Sequence, residues 1–106
     1  DLAKEFQEYS NTYSSGTRVS ADQTVLQRGK NKGIFKKIQN GRYQATVDIS
    51  KTPIKRGNYY EIDKFHKGSS AEIEVYNSQG KHQGTMDLDG KNWLSKPIKK
   101  RSIDVN

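Results

Sequence analysis

The alternation between Tyr59 and Tyr76 constrains this chain more than any other feature. Side chains two apart on a β-strand share a face. Tyr59, Glu61 and Asp63 therefore fall on one face of a first strand, with Tyr60 and Ile62 on the other. On a second strand Glu72, Glu74 and Tyr76 share a face, and Ile73 and Val75 lie opposite. Pairing the strands with Ile62, Ile73 and Val75 inward gathers the carboxylates on a wet face, with His66 where the first strand ends. Four of the twelve acidic residues and one of the two histidines are thereby concentrated in one stretch of a strongly basic chain. An ordinary half-buried hairpin with a solvated polar face explains the pattern without any chemistry. An acidic pocket holding an imidazole is the functional alternative.

The flanking segments complete a small domain. Leu2, Phe6, Tyr9 and Tyr13 recur at helical spacing over residues 1–14, and Ser14, Ser15 and Gly16 end that helix. Residues 15–33 are polar, with Val19, Val25 and Leu26 as the only larger aliphatic residues, and read as mostly loop. The basic run Arg28 to Gly33 lacks the context and the terminal Lys-Ser/Thr of a phosphate-binding P-loop. Asn40-Gly41 is a two-residue turn signal. It joins Ile34–Ile38 to a strand from Arg42 to Ile49, with Tyr43, Ala45, Val47 and Ile49 on one face. Pro53 and Gly57 mark a connection. Beyond the central pair, Ser78, Gln79 and Gly80 turn the chain into a strand near Lys81–Leu88, and Asp89-Gly90 turns it again. The expected fold is α+β, one domain over residues 1–106: a short N-terminal helix packed on a twisted antiparallel sheet of about four to six strands.

Composition narrows the function. The apolar fraction is 30%, and a domain of this size buries only roughly 60–70% of its unfolded surface, so the core is small. Nineteen Lys and Arg against twelve Asp and Glu give a net charge of +7. That balance favours a polyanionic partner: nucleic acid, an anionic membrane or an acidic protein. The absence of cysteine excludes disulfides, thiolate catalysis and cysteine-ligated zinc. No apolar run approaches a transmembrane length. The first residue is Asp1 rather than Met, and the expectation is a chain processed or cut from something larger.

Metal-free RNA cleavage needs a base for the ribose 2′-OH, an acid for the leaving 5′-oxygen and a cation for the phosphorane. A carboxylate, an imidazole and an arginine meet those needs, and Asp63 and His66 are close enough in sequence to cooperate at a strand end. His66 with Asp63 and a Glu could instead bind a divalent ion, although the spacing fits no standard zinc pattern. His82, beside a hairpin turn, reads as an exposed polar residue. The cluster Lys96, Lys99, Lys100 and Arg101 is denser than solubility requires and suits phosphate contacts, with Lys91 upstream. Tyr60, Tyr76 and Trp93 can stack on bases or pack in a core.

These residues form a series of blocks: Phe6-x-x-Tyr9-x-x-x-Tyr13, Tyr60-Glu61-x-Asp63-x-x-His66, Glu74-x-Tyr76, Gly80-x-His82-x-Gly84 and Lys100-Arg101-x-Ile103. In that order they resemble the catalytic domain of the ribosome-inactivating E-group colicins and related contact-dependent growth inhibition toxins. The resemblance implies a metal-independent ribonuclease without cofactor that cuts 16S rRNA in the decoding centre, leaving a 2′,3′-cyclic phosphate. It implies Glu74 as base, His66 as acid or transition-state stabiliser, Asp63 as its orienting group and Arg101 on the phosphate. Glu72 is an alternative base, because the segment after His66 looks longer than in the colicins. Tyr9 and Tyr13 match family tyrosines near the active site, yet core packing produces the same stripe. Tyr60, Lys91, Lys96, Lys99 and Lys100 are the expected RNA contacts. The family further implies a cognate acidic immunity protein and delivery as part of a larger secreted or cell-surface toxin. Action would be in the target bacterium's cytoplasm, with no membrane binding by this domain itself. A non-catalytic RNA- or ribosome-binding module and a metal-dependent nuclease are the competing readings.

Overall fold

The computed structural model describes residues 24–62 and 72–105. Six antiparallel strands form one sheet in chain order: β1 (Phe35–Gln39), β2 (Arg42–Ala45), β3 (Tyr59–Ile62), β4 (Ile73–Tyr76), β5 (His82–Met86) and β6 (Trp93–Ser95). A single helix among the described residues, α1 (Val25–Asn31), precedes them. The fold is α+β with the sheet dominant. The expected helix over residues 1–14 lies outside the described residues.

The Asn40-Gly41 turn sits between β1 and β2, with Gly41 at φ +79°, the left-handed conformation such a turn requires. The β3–β4 register sets Tyr59 opposite Tyr76, Tyr60 opposite Val75, Glu61 opposite Glu74 and Ile62 opposite Ile73. The alternation therefore sorts the two faces as expected. On the apolar face Tyr43, Tyr60, Ile73, Val75 and Met86 join Phe35 and Ala45 in one core. Val47, expected on that face, lies beyond the end of β2 and is exposed.

Residues 25–31 correct the reading of residues 15–33 as mostly loop. Thr24 caps α1 by accepting a hydrogen bond from the Leu26 N–H (3.1 Å), and the Val25 N–H reaches the Leu88 carbonyl (3.0 Å). A helix of seven residues draws little stability from propensity and depends on tertiary packing. Val25 and Leu26 are fully buried against the core. The Phe35 ring occupies the space that a Cβ at Gly29 would need. Two aliphatic residues and a glycine carry no periodic signal, so the sequence alone does not reveal this helix.

Tyr60 is fully buried on the core face, and this corrects its expected role as an RNA contact. Its hydroxyl donates to the Pro53 carbonyl (2.8 Å) and accepts from the Lys55 N–H (3.0 Å). Its ring meets Phe35 edge to face at 5.3 Å. No base can reach it. Burial pushes its pKa up to about 12, while an unfolded tyrosine ionises near 10.

The folded state therefore holds the Tyr60 proton after the unfolded state has lost it, and stability falls as pH rises from about 10 to about 12. Tyr60→Phe is expected to remove that part of the alkaline decline, at most about 3 kcal/mol. At pH 7 it is expected to cost about 1–3 kcal/mol, because the Lys55 N–H loses its acceptor. Urea unfolding of both proteins at pH 7 and through the alkaline range measures each effect.

Candidate functional site

The polar face is built as two rows of opposed residues. One runs Lys36, Gln44, Tyr59, Tyr76 and His82 across β1 to β5. The other runs Arg42, Glu61, Glu74, Thr85 and Ser95 across β2 to β6. Like charges directly opposite each other on neighbouring strands destabilise a sheet, so the Glu61–Glu74 pair needs compensation. Arg42 supplies it to Glu61 through a 2.5 Å ion pair from the adjacent strand. Arg101 supplies it to Glu74 from the far end of the chain, with Nη1 3.1 Å from Oε1.

The tail that carries Arg101 lies across this face. Lys81 bridges to Ser102, the Ile103 N–H donates to the Gly80 carbonyl (2.8 Å), and Arg42 Nη1 donates to the Asp104 carbonyl (2.7 Å). A Cβ at Gly80 would overlap the Ile103 carbonyl oxygen, and φ there is +86°; only glycine lets the tail come this close. Glu74, Tyr76, His82 and Thr85 are consequently buried. The carboxylate face is thus covered over β4 and β5, which corrects the expectation of a wet face.

His82 is the residue that sequence reasoning placed wrongly. It is not an exposed polar residue beside a turn: its side chain is fully buried. Its Nε2 lies 2.6 Å from Glu74 Oε2, and its Nδ1 accepts the Ile98 N–H at 2.9 Å. An N–H donor at Nδ1 requires a lone pair there, so the ring proton is on Nε2 and is donated to Glu74. The contact is a hydrogen bond from a neutral ring. The His82 backbone N–H also donates to the Arg101 carbonyl (3.1 Å). His82 therefore grips both ends of the turn Ile98–Arg101, closed by the Arg101 N–H on the Ile98 carbonyl (3.1 Å). Lys99 and Lys100 stand exposed at its tip. The Gly80-x-His82-x-Gly84 block was the available signal, since a histidine flanked by two glycines sits where other backbone can approach closely.

Tyr76 completes the cluster. Its hydroxyl accepts from Arg101 Nε (3.1 Å) and its ring meets His82 edge to face at 5.3 Å. Burial raises the Tyr76 pKa, against the opposing Arg101 charge and hydrogen bond, so the group is a phenol at neutral pH. Arg101 is thus held on its inner edge by a phenol and a carboxylate, while its side chain is 43% exposed; Glu74 is only 7% exposed. The arrangement can present a fixed guanidinium to an anion, backed by a carboxylate whose oxygens each retain acceptor capacity.

Of the expected catalytic residues, the structure brings Glu74 and Arg101 together. Glu72 lies just before β4 and is half-buried. Asp63, His66, Tyr9 and Tyr13 lie outside the described residues. Lys96, Lys99 and Lys100 are exposed along the covering tail, and Lys91 is half-buried in the β5–β6 turn. Among the described residues no three His, Asp or Glu side chains are grouped to hold a metal ion. Comparison with protein-family models, with curated proteins and with solved structures finds no match for this chain.

His82→Ala is expected to cost about 2–3 kcal/mol, because the Glu74 carboxylate loses a hydrogen-bond donor and the Ile98 N–H loses its acceptor, while Arg101 remains on Glu74. It should also speed hydrogen exchange at the Ile98 amide, which loses its acceptor. Urea unfolding and amide exchange measure the two effects. A loss below about 0.5 kcal/mol with unchanged Ile98 exchange would show that His82 does not hold the turn.

Proposed function

We propose that this domain is a metal-independent endoribonuclease toxin that cleaves 16S rRNA in the ribosomal decoding centre and so stops translation. The observation that carries the reading is the meeting of Glu74 and Arg101 beneath an exposed basic turn. These are the two described residues to which the resemblance to the E-group colicins gives catalytic roles. Arg101 holds the scissile phosphate. Glu74 Oε1, beside that guanidinium, takes the 2′-OH proton, and the 2′-oxygen attacks phosphorus as the bond to the 5′-oxygen breaks. His66 protonates the 5′-oxygen and Asp63 orients His66. The products are a 2′,3′-cyclic phosphate and a 5′-OH. His82 acts here as a positioning group, fixing Glu74 by its second oxygen. The resemblance also supports the N-terminal helix on the sheet, a cognate acidic immunity protein, and delivery on a larger toxin into a target bacterium.

One observation favours a second reading. Glu74 and His82 are nearly sealed from solvent and bonded to each other. That is also how a structural clamp would be built to present a basic turn in a non-catalytic RNA-binding module.

Incubating ribosomes with the domain in EDTA separates the readings. A discrete 16S rRNA fragment bearing a cyclic phosphate is the expected result. Intact rRNA with tight ribosome binding would establish the binding module, and cutting only without EDTA would establish a metal-dependent enzyme.

Arg101→Lys keeps the charge but loses the two-pronged donor. Single-turnover cleavage at saturating enzyme, where binding no longer limits, is expected to slow by about 10²-fold, the scale of a lost oxyanion donor. An unchanged rate would leave Arg101 as one more phosphate contact.

A further inference from the structure

The tail covers the polar face over β4 and β5, but the same face continues toward β1. Burial falls along the first row: His82 and Tyr76 are buried, Tyr59 and Gln44 half-buried, and Lys36 exposed. At the open end lies a cleft of about 190 Å³ lined by Lys36, Gln44, Ala45, Thr46, Arg56 and Gly57. At roughly 30 Å³ per water, it is large enough for a phosphate group with part of its sugar.

Its charge is one-sided. Lys36 from β1 and Arg56 from the turn before β3 both line it, and neither side chain is paired with a carboxylate among the described residues. Asp48 accepts the Arg56 backbone N–H (2.8 Å) and is not part of the lining. Gln44 is held in place by its Nε2 donating to the Gly57 carbonyl (3.1 Å). Two cations from different segments of the chain, converging on a concave site with no acid among its described lining residues, suit an anion that is itself part of something larger.

The geometry points to this cleft as a phosphate subsite for single-stranded RNA, holding the backbone at a nucleotide removed from the Arg101 end. The inference rests on the RNA-cleaving reading of the same face and extends it. Lys36 is three strand spacings from Tyr76, about 14 Å at roughly 4.8 Å per strand, and a few nucleotides of extended strand bridge that span. The RNA runs across the strands, clamped by Lys36 and Arg56 at one end and Arg101 at the other, with Tyr59 and Gln44 between. Phosphate clamps at two points fix register without reading sequence.

The test uses a fluorescent 2′-O-methyl RNA oligonucleotide, which has no 2′-OH to attack, so affinity is read whether or not the protein cuts RNA. Binding is followed by anisotropy over a series of salt concentrations. Lys36→Ala and Arg56→Ala should each weaken binding. Because both cations serve one phosphate, the double variant should lower the slope of log K against log salt by about 0.7 in total, the value for one phosphate contact on a single strand. Lys37→Ala makes the same charge change on the opposite face of β1 and should leave the slope unchanged. If the Lys36 and Arg56 variants match Lys37→Ala, or the oligonucleotide does not bind, the subsite is wrong. A wild type that binds as expected but leaves rRNA intact would sink the catalytic reading and leave the subsite standing. Circular dichroism of each variant checks the fold.

Discussion

The Glu74 carboxylate is the point on which the described structure turns. It stands opposite Glu61 in the β3–β4 register, where two like charges oppose each other, and it is buried. Both conditions are unfavourable without partners. Arg101 on one oxygen and His82 on the other supply them. The same two residues carry or grip the turn Ile98–Arg101, so satisfying one carboxylate also folds the basic tail onto the sheet. Arg42 does for Glu61 what Arg101 does for Glu74, and its second contact, to the Asp104 carbonyl, ties down the end of that tail.

Covering half of a polar face divides the labour of the domain. Over β4 and β5 the chemistry-bearing groups are ordered by one another, and what reaches the surface is the cationic side: Arg101, with Lys99 and Lys100 beside it. Toward β1 the face opens and is again cationic, through Lys36 and Arg56. On this face the carboxylates of Glu61 and Glu74 are paired internally, and Lys36, Arg56, Lys99 and Lys100 border what stays open among the described residues. That is a distribution suited to a polyanion laid across the strands.

Period-two alternation was legible because it is a local property of the chain. It gave the faces of β3 and β4, and Asn40-Gly41 gave the first hairpin. What was not legible depends on segments distant in sequence. Nothing near His82 announces that Ile98 and Arg101 will return to it. Nothing in the alternation of Glu72, Glu74 and Tyr76 says that the face will be roofed. Helix α1 is held by the Leu88 carbonyl and the Phe35 ring rather than by its own periodicity. Tyr60 illustrates the same limit: parity placed it opposite Glu61 in orientation, but only the assembled core shows that Pro53 and Lys55 occupy its hydroxyl. Of the candidate site, the Glu74–Arg101 pair was reached through resemblance, and the third member of that cluster was missed.

His82 is a neutral ring fixed between the Ile98 amide and Glu74. Long-range proton–nitrogen correlation spectra of the imidazole test this directly, in wild type and in Glu74→Gln. A single tautomer is expected in the wild type, protonated on Nε2 with a lone pair on Nδ1. A measurable change at Nε2 is expected in Glu74→Gln, while Nδ1 keeps the signature of an acceptor. A ring protonated on both nitrogens, an Nδ1-protonated tautomer, or a rapidly averaging mixture in the wild type would contradict this assignment.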